Sequence, residues 1–257
     1  MGILEGKKIL ITGVLNTSSI AYAASEVAIA EGAEIVLSGF GRGLSITQRA
    51  ARKLGESVKV IELDVTDESH LNSLVDQLQP WKHLDGVLHS IGYAPPSCIG
   101  GDIFQANFLD VATAIEVSTF SLKSLTQALL PLLKEAPTGA SVVGLDFDAQ
   151  VAWPGYNWMG VAKAGLESLT RYLARDCGPM NIRVNLISAG PIRTIAAKSV
   201  ESFSSFQDDW GQKAPLGWNP TDATGVGRSI VALLSDYMPQ TTGEIIHVDG
   251  GFHALGA

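Results

Sequence analysis

"KILITGVLNTSSIAYAASEVAIAEGAEIVLSGF" (residues 8–40) decides how this chain folds. Its first part, "KILIT" (8–12), is short and almost continuously apolar, as a strand covered on both faces must be. Gly13 follows, and a helical pattern fills "SSIAYAASEVAIAEGA" (18–33), with Ser19 at its start as a capping residue. "EIVLS" (34–38) then repeats the strand signature. Strand, glycine turn, Ser-capped helix and second buried strand make one βαβ unit with parallel strands.

The same alternation continues to the far end. Further apolar runs are "VKVIEL" (58–63), "DGVLHS" (85–90), "ASVVGL" (140–145), "IRVNLIS" (182–188) and "EIIHVD" (244–249). Between them "SHLNSLVDQLQ" (69–79) and "TFSLKSLTQALLPLLKEA" (119–136) carry helical patterns. Right-handed crossovers convert this order into an α/β fold: a single doubly wound Rossmann-type domain over residues 1–257. Its seven-stranded parallel sheet carries helices on both faces. The segment from Pro191 to about Pro220 lacks periodicity, and a loop of that length inside a compact domain is usually functional. We read about 191–220 as a substrate-binding loop and not as a domain boundary.

Composition narrows the function. The chain has 257 residues, 46% hydrophobic and 17% charged, enough for a sizeable core. A formal net charge of −8 excludes the broad basic surface that binding nucleic acid needs. The two cysteines, Cys98 and Cys177, suggest no disulfide framework and lack metal-ligand spacing, so no metal is expected. "MGILEGKKILITG" (1–13) turns polar too quickly for a signal peptide, and no run approaches the roughly 20 apolar residues of a membrane span. A cytoplasmic protein is expected.

One helical stretch, "PGYNWMGVAKAGLESL" (154–169), contains an anomaly. At about 100° per residue, Met159, Ala162, Leu166, Leu169 and Leu173 form an apolar stripe, and Lys163 falls inside it. Tyr156 projects to nearly the same side, two turns and about 10 Å earlier. An ammonium on a buried face needs oxygen partners, supplied either by solvent at the helix edge or by a ligand. The nucleotide signals at the first strands leave choices open. The first turn has Gly13 but not G-x-G-x-x-G, with Ser19 and Ala21 where further glycines would stand. "LSGFGR" (37–42) ends the second strand without an acidic residue; Phe40 can cover an adenosine, and Arg42 leaves NADPH open beside NADH. Asp64 in "ELDVTD" (62–67) suits an adenine amino group or a turn.

The chain resembles the short-chain dehydrogenase/reductase superfamily, and within it the enoyl-acyl carrier protein reductases. It is most similar to the NADH-dependent actinobacterial branch that includes the mycobacterial isoniazid target. The stretches that carry this are "GVLNTSSIA" (13–21), "LSGF" (37–40), "LDV" (63–65), "HSIG" (89–92), "GLDFD" (144–148), "YNWMGVAK" (156–163), "AGPIRT" (189–194), "APLGWN" (214–219) and "TTGEIIHVDGG" (241–251). They cover essentially the whole chain, in order. Ordinary short-chain reductases place Tyr four residues before Lys and a Ser at the end of the fifth strand. Here Met159 stands four before Lys163, and "GLDFD" holds no Ser.

The resemblance implies reduction of the trans-2 double bond of an enoyl thioester by NADH in fatty-acid elongation. It makes Tyr156, Lys163 and Phe147 catalytic, with Tyr156 stabilising the enolate and Lys163 binding the nicotinamide ribose. It assigns Gly13, Ser19 and Ile20 to the pyrophosphate turn, and Phe40, Asp64 and Val65 to the adenosine. Ser90, Ile91 and Gly92 would line the ribose and phosphate, Ile192 the carboxamide, and Thr194 a phosphate. Tyr156 and Met159 would bind the substrate, an enoyl-acyl carrier protein or enoyl-CoA, with "TIAAKSVESFSSFQDDW" (194–210) as a second wall, Phe203 and Phe206 included. That loop is shorter than in mycobacterial relatives, which disfavours very long acyl chains. A homotetramer is implied. The alternatives are a short-chain reductase acting on a carbonyl and a non-catalytic cofactor-binding regulator.

Overall fold

In the computed structural model of the chain, residues 2–195, 197 and 210–256 are described. Seven parallel strands form one sheet: β1 (Lys8–Ile11), β2 (Glu34–Gly39), β3 (Lys59–Glu62), β4 (Gly86–His89), β5 (Ala140–Asp146), β6 (Ile182–Ala189) and β7 (Ile245–Val248). The order across the sheet is β3-β2-β1-β4-β5-β6-β7. It reverses direction between β1 and β4, and in a doubly wound sheet ligands bind at the carboxyl ends beside such a reversal. The α/β class, the seven strands and their parallel arrangement agree with the sequence reading, with ends differing by a residue or so.

Strand alternation builds two cores. Ile9, Ile11, Ile35 and Leu37 turn to one face, against Ala21, Ala24 and Ala28 of α1 (Ile20–Ala30). Ala50 and Ala51 of α2 (Gly41–Leu54) join them. Leu10, Val36, Val87 and Val142 turn to the other face, where Leu74 and Leu122 also pack. Leu74 begins the short α4 (Leu74–Gln77), which follows α3 (Glu68–Asn72). The expected helix over 69–79 is therefore two short ones, because Asp67 caps α3 and the chain re-starts at Ser73.

The expected helix over 119–136 begins differently too. α5 (Phe108–Ile115) runs into a wide π turn, Glu116–Phe120, before α6 (Ser121–Leu133). π turns concentrate at functional sites, and this one lies against α7 (Asn157–Cys177). A last helix, α8 (Thr224–Leu234), covers the first face with Val226 and Ile230. α2, α5 and α8 are helices the sequence reading does not single out.

One expectation needs correction at α7. The helix starts at Asn157, whose φ is +41°, and Tyr156 is its N-cap. The helical phase extended back from Lys163 therefore breaks one residue short of Tyr156, whose position is set by the turn. At the reversal point, Gly13 has φ +79°, and a Cβ there would lie 1.9 Å from the Ser90 carbonyl oxygen. The β1–α1 turn thus approaches the end of β4 more closely than any side chain permits. Gly13→Ala should lower unfolding stability by roughly 2 kcal/mol or more, read from urea unfolding; an unchanged midpoint would refute this close approach.

Candidate active site

The segments that follow β1 to β6, together with α7, line the carboxyl edge of the sheet. The first supplies Gly13, Ser19 and Ile20. Ser19 caps α1: its hydroxyl donates to the Asn16 carbonyl at 2.7 Å and accepts from the Tyr22 amide at 3.3 Å. The hydroxyl is committed to the turn, so any anion here meets amides instead of this side chain. Ile20 opens α1, where helical N–H groups lack intrahelical acceptors, and no acidic residue stands in the first turn.

At the ends of β2 and β3, Phe40 is 53% exposed at the N-cap of α2. Asp64 uses one carboxylate oxygen to hold the Thr66 amide and hydroxyl, the turn role open to it in the sequence, while Val65 is buried. After β4, the Ser90 amide donates to Thr12 Oγ1, and the Tyr93 amide to Ser118 Oγ. Ile91 packs on the second core, and a Cβ on Gly92 would stand 3.3 Å from Met159 Cε. That contact brings the β4 segment against α7.

After β6, the chain is fixed by the Trp218 indole, which donates to the Pro191 carbonyl at 2.8 Å. Ile192 is buried, and Thr194 Oγ1 accepts from the Ala197 amide. The rest of the loop, with Phe203 and Phe206, lies outside the described residues.

The centre is built by β5 and α7. Phe147 follows β5 directly, and its ring meets the Tyr156 ring edge-on, with centroids 5.2 Å apart. Trp153 and Trp210 pack around Phe147 at 5.3 and 5.9 Å, and Phe252 stacks on Trp210 at 3.8 Å. This gives Tyr156 an apolar wall. Lys163 is 6% exposed and its ammonium donates to the Leu145 carbonyl at 2.7 Å. The side chain therefore turns inward to the end of β5, and the solvent-edge alternative fails.

The groups around Lys163 are polar and buried. Burial lowers its pKa, and the Asp146 carboxyl draws it back up. Burial raises Asp146 to about 7, with Lys163 opposing and Glu167 and Asp148 adding to the rise. Burial also pushes the Tyr156 phenol above its usual range, and the Asp146 charge does so further. Beside them His89 ends β4, fully buried. Its Nε2 lies 2.7 Å from Ser121 Oγ, which itself donates to the Val117 carbonyl. Ser121 must then accept, so Nε2 carries the hydrogen and Nδ1 is a bare acceptor, without a partner among the described residues. Thr119 Oγ1 donates to the Ala162 carbonyl at 2.6 Å, tying the π turn to α7 beside Lys163.

This arrangement offers a neutral phenol donor, a buried ammonium and a narrow apolar wall on the switch point of a dinucleotide-type sheet. A family model described as enoyl-(acyl carrier protein) reductase matches residues 13–253. The chain belongs to this family. Among its relatives, the "Enoyl-[acyl-carrier-protein] reductase [NADH]" of Mycolicibacterium smegmatis is 43% identical, covering 97% of each chain. The protein of that name from Mycobacterium avium is also 43% identical, again over 97% of both. One from Aquifex aeolicus is 38% identical, over all of this chain and 94% of its own.

The structure brings Phe147, Tyr156 and Lys163 to the end of β5. Asp146, His89, Trp153, Trp210 and Phe252 are what the sequence reading misses. Asp146 and His89 had a signal: each is a polar residue closing an otherwise apolar strand. Trp210 and Phe252 had none, since their contacts join segments far apart in the chain, whereas Trp153 reaches Phe147 across the turn after β5.

His89 gives this cluster a pH signature. Burial holds its pKa at about 3, whereas the unfolded ring titrates near 6.5. The unfolded chain takes up a proton that the folded one refuses, so stability is present above 6.5 and falls as pH drops towards 3. The contribution of His89 should cost the wild type about 2 kcal/mol between pH 7.5 and pH 5. His89→Gln should remove that part of the slope in urea unfolding at the two pH values; an equal slope in both proteins would refute it.

Proposed function

We propose that this chain is an NADH-dependent enoyl-acyl carrier protein reductase, which reduces the trans-2 double bond of an enoyl thioester in fatty-acid elongation. The observation that carries this reading is the pair Tyr156 and Lys163: a phenol against Phe147 and an ammonium buried at the end of β5, in a chain of that family. We propose further that residues 1–257 act as one catalytic domain, with about 191–220 as its substrate-binding loop.

The residues fit the dinucleotide. Gly13 and the start of α1, free of acidic residues, suit a pyrophosphate. Lys163 has three N–H bonds and gives one to Leu145, which leaves two for the hydroxyls of the nicotinamide ribose. Asp64 and Phe40 would hold the adenosine, Ser90, Ile91 and Gly92 the neighbouring ribose and phosphate, and Ile192 and Thr194 the nicotinamide side. When bound, NADH supplies the hydride that the β-carbon receives.

The chain's own residues do the rest. Reduction places negative charge on the thioester carbonyl oxygen, and a positioned O–H donor lowers that barrier as an oxyanion hole does. Tyr156 supplies the donor. With its pKa raised by burial, the phenol stays protonated throughout the working pH range. Phe147, Trp153 and Trp210 keep water from that oxygen, and Met159 lines the acyl path beside Gly92.

The carrier is acyl carrier protein or CoA, and the assembly is a cytoplasmic homotetramer. Among the described residues no helix is long and apolar enough to cross a membrane. α5 and α7 pack together, yet α5 leaves Phe108 and Leu109 exposed and α7 leaves Val161 and Tyr172 exposed. Apolar surface of this kind favours a subunit contact. Light scattering should give the mass of four chains, and Leu109→Asp should reduce it; a wild-type monomer would sink the tetramer.

The activity test is NADH oxidation with a medium-chain enoyl-CoA, with a ketone and without substrate. Turnover is expected with the enoyl thioester alone, and preference for the ketone would reject the reading. Tyr156→Phe should lower kcat by about 10²–10³ while NADH binding holds. Lys163→Ala should weaken NADH binding by roughly tenfold or more.

A further inference from the structure

The reaction as described leaves one buried acid without a task. Asp146 closes β5 immediately before Phe147 and is 6% exposed. Its carboxyl oxygens are buried with no side-chain hydrogen bond among the described residues, and the Phe147 backbone amide beside them helps hold the charged form. The Lys163 ammonium opposes the cost of that burial through space but gives its hydrogen bond to the Leu145 backbone. A buried polar group with no partner is costly, and folds keep one where a ligand or a charge change makes use of it. Strand alternation puts Asp146 on the same face of the sheet as Val142, the side covered by α6 and α7. It therefore shares the end of the sheet with Lys163, His89 and Tyr156.

We propose that Asp146 is the charge that makes this site distinguish the reduced from the oxidised nicotinamide ring. This rests on the placement of the nicotinamide ribose at Lys163 given above. The reduced ring is neutral and the oxidised ring carries a positive charge, while the rest of the two nucleotides is the same. A carboxylate held in a poorly solvated site attracts the cation and is indifferent to the neutral ring. A protonated carboxyl has no such preference. Protonation of Asp146 thus removes a preference for NAD⁺, and ionisation restores it.

Burial puts the titration of this carboxyl at about pH 7, inside the range where such an enzyme works. The charged and titratable groups around it are Lys163 and Glu167 on α7, Tyr156 at the helix start and Asp148 two residues on. His89 on β4 faces the same lysine and stays neutral throughout this range. The expected direction follows: rising pH tightens NAD⁺ relative to NADH. By reciprocity, binding of NAD⁺ expels a proton from Asp146, and binding of NADH does not. Lowering the pH then loosens the product nucleotide relative to the incoming one.

The test measures the dissociation constants of NADH and NAD⁺ for the full chain at pH 6, 7 and 8, by calorimetry. In the wild type the ratio Kd(NAD⁺)/Kd(NADH) should fall roughly tenfold from pH 6 to pH 8. In Asp146→Asn and Asp146→Ser it should stay constant. A wild-type ratio that ignores pH overturns the proposal, and so does a variant that keeps the wild-type slope. The wild-type profile decides alone should both variants misfold. Lys163→Ala serves as the separate control: NADH binding as tight as wild type in that variant overturns the placement of the nucleotide, whatever Asp146 does.

Discussion

A lysine ammonium inside a protein must be surrounded by oxygen, and much of this site follows from how that demand is met. Lys163 sits on the buried face of α7 and gives one N–H to the last carbonyl before Asp146. This bond ties helix to sheet at the carboxyl end of β5, the edge where a doubly wound fold receives its ligands. It also fixes what else can be there. Burial keeps His89 neutral and raises Asp146, and a cation so placed adds to the first effect and opposes the second.

The apolar wall is the counterpart of that polar floor. Phe147 follows Asp146 in the chain, so the strand that ends in an acid continues at once into the aromatic ring beside Tyr156. Trp153, Trp210 and Phe252 extend the wall from three separate segments. A phenol held against such a surface is dehydrated and stays protonated, which suits a donor. The same dehydration strengthens the electrostatic influence of every charge nearby.

How far the sequence discloses this depends on whether the determinant is local. Buried strands are legible because Val, Ile and Leu runs bounded by polar residues have few other uses, as "IRVNLIS" illustrates. Gly13 is legible as a turn, and Lys163 as a residue that contradicts its own stripe. Tyr156 is legible only through its resemblance to a family, because the turn at Asn157 breaks the helical phase that would have located it. Ser19 looks in sequence like a phosphate ligand, yet the Asn16 carbonyl already takes its proton. The break at Ser73 and the π turn escaped because no glycine or proline marks either of them in the sequence.

That π turn has a consequence for the chain's tolerance of change. Ser118 holds the segment after β4, Thr119 holds α7, and Ser121 holds His89, all within four consecutive residues. An ordinary α-helical winding would have room for the same side chains and bury them as well. A wide turn takes about one residue more than an α turn, so a change of length in Glu116–Phe120 would change which of these side chains faces which partner. The irregularity is thus a clocking device, set by the length of the segment as well as by its side chains.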